Sequence, residues 1–217
     1  MLLVSHTPRP VESTCYPYVR FLNCRGSLPE LHELVTAGIG TNVQVSNFDG
    51  ELRVDWPEKR DEFSVQSFQI HNSNIRGIAP RFFAEFSSNS LESLVLNAVN
   101  GTFELNKQTL GGLENVLKSI RISSRWLGDI SYFAELKQLH TFYLGLTHLN
   151  EVPANFGSLI KRLVNVDLSK NELTRLPWDA LASRIRDFEV QRFRLADNPW
   201  HCDCSLRPLL EVPDEYL

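Results

Sequence analysis

Near the end of the chain, Asn198-Pro199-Trp200-His201-Cys202-Asp203-Cys204 sets two cysteines one residue apart behind a tryptophan and a histidine. Three chemistries are open to such a group. Thiolates with an imidazole can hold zinc, closely spaced cysteines can be redox active, and cysteines of secreted proteins staple the fold. The remaining two cysteines, Cys15 and Cys24, stand near the other end, with none in the long middle. A pair at each terminus is what an extended structure stapled at both ends would show. A fourth zinc ligand is not evident near His201, so no metal and no cofactor are expected. Esterase, zinc-protease and nucleotide-loop signatures are missing, and Gly38-Ile39-Gly40 is a lone G-x-G better read as a helix stop. The chain is therefore expected not to be an enzyme. One modification signal is present: Asn100-Gly101-Thr102 is a permitted N-glycosylation acceptor if the chain enters the secretory pathway.

What positions these residues must be read from the rest of the 217 residues. A hydrophobic fraction of 42% suffices for a core, and a net charge of −4 with no basic block excludes a typical nucleic-acid binder. No stretch is long and apolar enough to span a bilayer. The start, MLLVSHTPRP, is too short in its apolar run for a secretory signal. Either the thiols are cytosolic and free, or the sequence is incomplete at its start.

Self-similarity supplies the framework. Leu163, Val166, Leu168, Asn171, Leu173, Leu176 and Pro177 fill the pattern L-x-x-L-x-L-x-x-N-x-L-x-x-L-P. The spacing recurs with Leu139, Phe142, Leu144, Leu149, Val152 and Pro153, with Leu117, Ile120, Ile122, Leu127 and Ile130, and with Val65, Phe68, Ile70, Ile75 and Ile78. A copy at Leu91, Leu94 and Leu96 is expected to lose register in VNGTFELN, and a last one at Val190, Phe193, Leu195 and Asn198 runs into the cysteine pair. The six copies begin at 65, 91, 117, 139, 163 and 190, close to the leucine-rich-repeat period of about 20–29 residues. Alternation along a strand turns positions 4 and 6 inward and positions 3, 5 and 7 outward. Stacked copies bury a continuous core.

The asparagine of position 9 can satisfy backbone groups where the chain leaves the strand. Only Asn171 and Asn198 keep it; Ser73, Val99, Arg125 and Thr147 stand there elsewhere, so the early loops are expected to be less regular. Upstream, Ser27 and Glu30 suit a capping box for a short helix ended by Gly38, Val43 and Val45 form a first atypical strand, and 47–50 reads as a turn. The expected fold is an α/β solenoid: a leucine-rich-repeat horseshoe with parallel strands on the concave face and short helices or irregular loops on the convex one. The expected divisions are a flexible leader (1–14), an N-terminal cap with the atypical repeat (15–62), the repeats (63–196) and the start of a cap (197–217).

On these motifs the chain resembles extracellular leucine-rich-repeat proteins over about residues 15 to 210. The string from Asn198 to Cys204 resembles the N-P-W-x-C-D-C opening of their C-terminal cap. That resemblance implies two partner cysteines downstream; the chain holds none, so Cys202 and Cys204 lack partners and the cap is expected to be cut short. Cys15 and Cys24 resemble the cysteine-flanked N-terminal cap, which implies a disulfide between them. The layout is also similar to secreted arthropod leucine-rich-repeat proteins related to the non-catalytic subunit of a shrimp luciferase.

Function is then expected on the exposed strand face. Position 5 gives Gln69, Val95, Arg121, Tyr143, Asp167 and Arg194, and position 3 ends on Asn165 and Arg192. Tyrosine and arginine are frequent anchors of protein interfaces, so Arg121, Tyr143, Asp167, Arg192 and Arg194 are the binding candidates. The expected function is a non-enzymatic, secreted or cell-surface module that binds a protein partner through its concave strand face, with no nucleic acid and no direct membrane insertion of the given chain. The alternatives are a cytosolic repeat regulator and a non-catalytic subunit stabilising an enzyme.

Overall fold

The structure, a computed structural model, describes residues 14–18, 21–25, 42–53, 64–87, 89–124, 129–177, 193–201, 203 and 204, the first two segments by backbone alone. Each repeat contributes one strand: β3 (Asn42–Ser46), β5 (Ser67–Ile78), β6 (Ser93–Gly101), β7 (Ser119–Ser123), β8 (Thr141–Tyr143), β9 (Asn165–Asp167) and β10 (Phe193–Arg194). They join in that order, all parallel, with β4 (Asp49–Leu52) continuing beside the far half of β5. An antiparallel hairpin of β1 (Thr14–Tyr18) and β2 (Phe21–Arg25) extends the sheet at its N-terminal edge.

The register is the one the repeat demands. Position 4 aligns Val43, Phe68, Leu94, Ile120, Phe142, Val166 and Phe193 across seven strands, and every one of them is buried. The position 6 residues, from Val45 and Ile70 to Leu168 and Leu195, form a second buried row. No single strand could bury such a face alone, so each repeat is held by its neighbours.

Behind the sheet, phenylalanines fill the gap to α1 (Phe82–Phe86), α2 (Lys107–Leu110), a 3-10 turn (Ser131–Glu135) and α3 (Phe156–Ile160). The rings of Phe82 and Phe83 meet Phe68 edge-on at 5.9 and 6.0 Å, and Phe133 and Phe156 flank Phe142 at 5.5 and 6.2 Å. Helices this short do not hold in isolation; packing fixes them. The Asn106 side chain adds a cap for α2, accepting from the amides of Gln108 and Thr109.

After β3, β5, β6, β8, β9 and β10 the turn is built on a column absent from the hydrophobic pattern. Position 8 takes a left-handed backbone in Asn47, Asn72, Ala98, Leu146, Lys170 and Asp197, with φ between 48° and 62°. Next to it, position 9 closes the turn. Asn171 Oδ1 accepts from the amides of Thr147 and Leu149 in the preceding repeat, and Asn198 Oδ1 accepts from the amide of Leu173. Ser73 does part of this work, accepting from the Phe48 amide at 3.1 Å and donating to the His71 carbonyl.

Three expectations change. The early repeats are the more regular in hydrogen bonding: β5 runs 12 residues and β6 runs 9, paired beyond the bend from Ser73–Val99 to Ile75–Gly101. The copy beginning at Leu91 therefore keeps register through Val99, Asn100 and Gly101. Asp49 and Gly50 are not a turn but the start of β4; the bend is at Asn47. Thr141, at an outward position, is buried, and its hydroxyl accepts from Asn165 Nδ2 and bonds the His140 ring. The Ser27–Glu30 cap, Gly38, Arg125, Leu127 and Val190 lie outside the described residues.

Candidate functional site

Position 5 of successive strands brings four of the five binding candidates into one row: Arg121 on β7, Tyr143 on β8, Asp167 on β9 and Arg194 on β10. Arg192 lies outside the described residues. The row floors a concavity of about 690 Å³ whose rim adds Ser123, Ser169, Leu146 and Lys170. Parallel pairing holds the four side chains at successive strand spacings of about 4.8 Å.

Their contacts are partial, which leaves chemistry to spare. The Arg121 guanidinium stacks over the Tyr143 ring, 4.5 Å from its centroid. Stacking of this kind orients a guanidinium while keeping its edge donors open. Asp167 is fixed by Ser169, whose backbone amide and hydroxyl both donate to Oδ1. Arg194 Nη1 lies 3.9 Å from Asp167 Oδ2, with the Arg194 side chain 65% exposed. That is an ion pair too long to be a hydrogen bond.

The N-terminal half of the same face differs. Gln69, Val95 and the serines of position 3 carry no charge. His71 adds none at neutral pH, because burial pushes its imidazole below the ordinary value of 6.5. Among the described residues at positions 3, 5 and 7 of β3, β5 and β6 none carries a formal charge at neutral pH, and the charged ones stand on β7 to β10.

Leu146 and Lys170 were not among the sequence candidates. A signal was present: position 8 is otherwise Asn, Asp, Lys or Ala in the left-handed turns, and a leucine in that column is out of character. Leu146 is 56% exposed, one of two large exposed hydrophobic residues among those described.

The cysteines divide. Cys15 and Cys24 face each other across the β1–β2 hairpin as direct register partners. Cys204 is exposed and free, and Cys202 lies outside the described residues. Among the described residues no three His, Cys, Asp or Glu side chains converge as a metal site, and no helix is long and apolar enough to cross a membrane. Asn100 is exposed on β6, and Gly101 after it has φ 126°.

No protein-family model matches the chain. Among solved structures it is similar to an internalin from Listeria monocytogenes, with a TM-score of 0.54 at 15% identity over 87% of this chain. The match takes in 57% of the internalin chain, so this chain spans a little over half that structure's length. At such identity the likeness concerns the fold alone. It agrees with the strand register: this is a leucine-rich-repeat solenoid.

Proposed function

We propose that the chain is a non-enzymatic protein-binding module whose site is the concave face of β7 to β10. The carrying observation is the row Arg121–Tyr143–Asp167–Arg194, aligned by the sheet over one concavity. Aromatic and arginine side chains presented on a rigid surface are the residue types that anchor protein interfaces, and strands hold them with little ordering cost on binding.

A secreted or cell-surface setting goes with this reading. Directly opposed residues of an antiparallel pair have Cα atoms about 4.5–5.5 Å apart, within the disulfide range; Cys15 and Cys24 are so opposed. The exposed Asn100 sequon suits the same route.

The test is photo-cross-linking in the extracellular fluid of the source organism. A photoreactive phenylalanine analogue at position 143 should capture a discrete protein, and the same analogue at Lys107, on α2 behind the sheet, should not. Tyr143→Ala and Arg121→Ala should abolish capture from a second probe at Arg194 while leaving the melting curve in place, since surface changes cost within about 0.5 kcal/mol. Capture at position 107 alone, or capture indifferent to both alanines, would move the site off the strand face.

A further inference from the structure

The concavity has a charge and an apolar feature that together specify what fits it. Of its lining residues Arg121, Lys170 and Arg194 are cationic and Asp167 is anionic, on a chain whose overall charge is −4. Local and global charge thus have opposite signs. Neither guanidinium donates a hydrogen bond to a described residue: Arg121 is held by stacking and Arg194 by a loose ion pair. Lys170 is exposed. Toward the described residues these three cations keep donors unspent, and they face one carboxylate that Ser169 already satisfies on one oxygen. Asp197, beside Lys170 in the position 8 column, does not line the concavity.

Leu146 is the second, independent observation. It holds φ 62° and is more than half exposed on the rim. A bulky side chain gains nothing from that backbone and nothing from that exposure, whereas asparagine or glycine would fit the turn with less strain. The other left-handed turns of this column carry Asn, Ala, Lys or Asp, so the exposed leucine is what sets this part of the rim apart.

We infer that this groove receives an extended acidic segment of the protein partner, its carboxylates on Arg121 and Arg194 and an apolar residue between them against Leu146. The inference rests on the concave-face reading and adds the chemistry of the occupant. Arg121 and Arg194 stand three strands apart, about 14 Å, which an extended chain covers in about four residues. Guanidinium forks match carboxylates bidentately, and the Tyr143 ring pre-orients one of them.

The probe is a fluorescein-labelled peptide with two glutamates four residues apart and a leucine midway, read by anisotropy with the full chain. It should bind with an affinity that falls as salt rises. The glutamine analogue, and separately Arg121→Gln or Arg194→Gln, should each weaken it roughly tenfold, the effect of losing one charge-assisted hydrogen-bonded pair. Lys107→Gln should change nothing, which separates a local site from net charge. Leu146→Gly should weaken the peptide while leaving the melting temperature unchanged or higher, an outcome that a structural leucine would not give. Arg121→Glu with Arg194→Glu should exchange the glutamate peptide for its lysine counterpart. Equal binding of glutamate and glutamine peptides, or no binding at all, overturns the acidic occupant; binding of a sulfated polysaccharide without the peptide overturns it as well. If capture through position 143 survives such a result, the concave-face reading stands and only the occupant's chemistry is wrong.

Discussion

Replacing Asn171 tests the turn chemistry that separates this chain's late repeats from its early ones. The side chain is buried and makes six contacts. Its Oδ1 accepts from the Thr147 amide at 2.9 Å, the Thr147 hydroxyl at 2.9 Å and the Leu149 amide at 3.2 Å. Its Nδ2 donates to the carbonyls of Leu144, Leu168 and Ser169. In Asn171→Ala the Thr147 hydroxyl can still donate to the Leu144 carbonyl, and Asn198 Nδ2 still serves the Leu168 carbonyl. The uncompensated loss is two buried backbone donors. At about 1–3 kcal/mol each, with water entering part of the space, the cost is about 3–4 kcal/mol. Asn198→Ala strips the Leu173 amide alone and Ser73→Ala the Phe48 amide alone, so each should cost about 1–2 kcal/mol.

Urea unfolding of the three variants gives the order, and hydrogen exchange locates it. The amides of Thr147 and Leu149 should lose protection in Asn171→Ala, while those of β5 and β6 keep theirs. Asn171→Asp sharpens the test. It retains the acceptor but turns carboxylate oxygens toward three carbonyls, so burial and repulsion raise its folded pKa above the unfolded value. Stability should then recover as pH falls through that raised pKa, because the protonated acid can donate. An Asn171→Ala variant no weaker than Ser73→Ala, or one that leaves the Leu149 amide protected, would refute this account of the turn.

Other outcomes follow from single contacts. Leu168→Asp puts an unpaired charge in the stacked core at a cost of several kcal/mol, and circular dichroism should show the C-terminal half melting early; a melt like the parent's would deny the register. Gly101→Ala would set a Cβ 1.7 Å from the Ile75 carbonyl oxygen at φ 126°, so it should cost at least about 2 kcal/mol, against about 0.5 or less for Gly77→Ala, where the nearest atom is 3.5 Å away. The Tyr132 hydroxyl donates to Glu114 and holds its carboxyl below the ordinary 4.5; a depressed carboxylate stabilises above its unfolded pKa and loses that as pH falls through the folded one, so Tyr132→Phe should shrink the acid-side loss in a pH series of melts. Intact mass of material from an oxidising host should fall by two hydrogens relative to its reduced form if Cys15 and Cys24 are joined, and free thiols at both would argue for a cytosolic protein.

How much of this was legible in sequence depended on which physical signal each element carried. Burial rows were legible because period-2 alternation and a repeat of 22 to 27 residues leave few alternative pairings; even Val43 against Phe68 could be aligned 25 residues apart. The turn column was not, because a left-handed backbone leaves only a weak compositional trace: Asn47 and Asn72 advertise it, but Ala98, Leu146 and Lys170 do not. Substituting serine for asparagine at position 9 suggested irregular loops, yet the chain answered by prolonging β5 and β6 past the bend, where Asp49, bound by Arg76 and Asn74, ties β4 to β5. Strand pairing there took over what the asparagine does later. The row of binding candidates was legible from alternation alone, whereas its rim required knowing where the turns aim.

These observations connect at the site itself. Tyr143 and Asp167 end strands of only three residues, too short to fix their own direction. Beyond them the chain bends at Leu146 and Lys170, and what closes both bends is Asn171, through the carbonyls of Leu144, Leu168 and Ser169. The Ser169 amide and hydroxyl in turn orient Asp167. One buried side chain therefore sets the end of the floor and the position of the rim together. β5 and β6, held by longer pairing, would make a stiffer platform, but their described outward side chains at positions 3, 5 and 7 offer no charge at neutral pH. Asp167 and Arg194 stand on the two repeats that keep their asparagine, and Asn171 also closes the turn after Tyr143 through the Thr147 and Leu149 amides; β8 to β10 stop after two or three residues there, and the rim turns up around the groove.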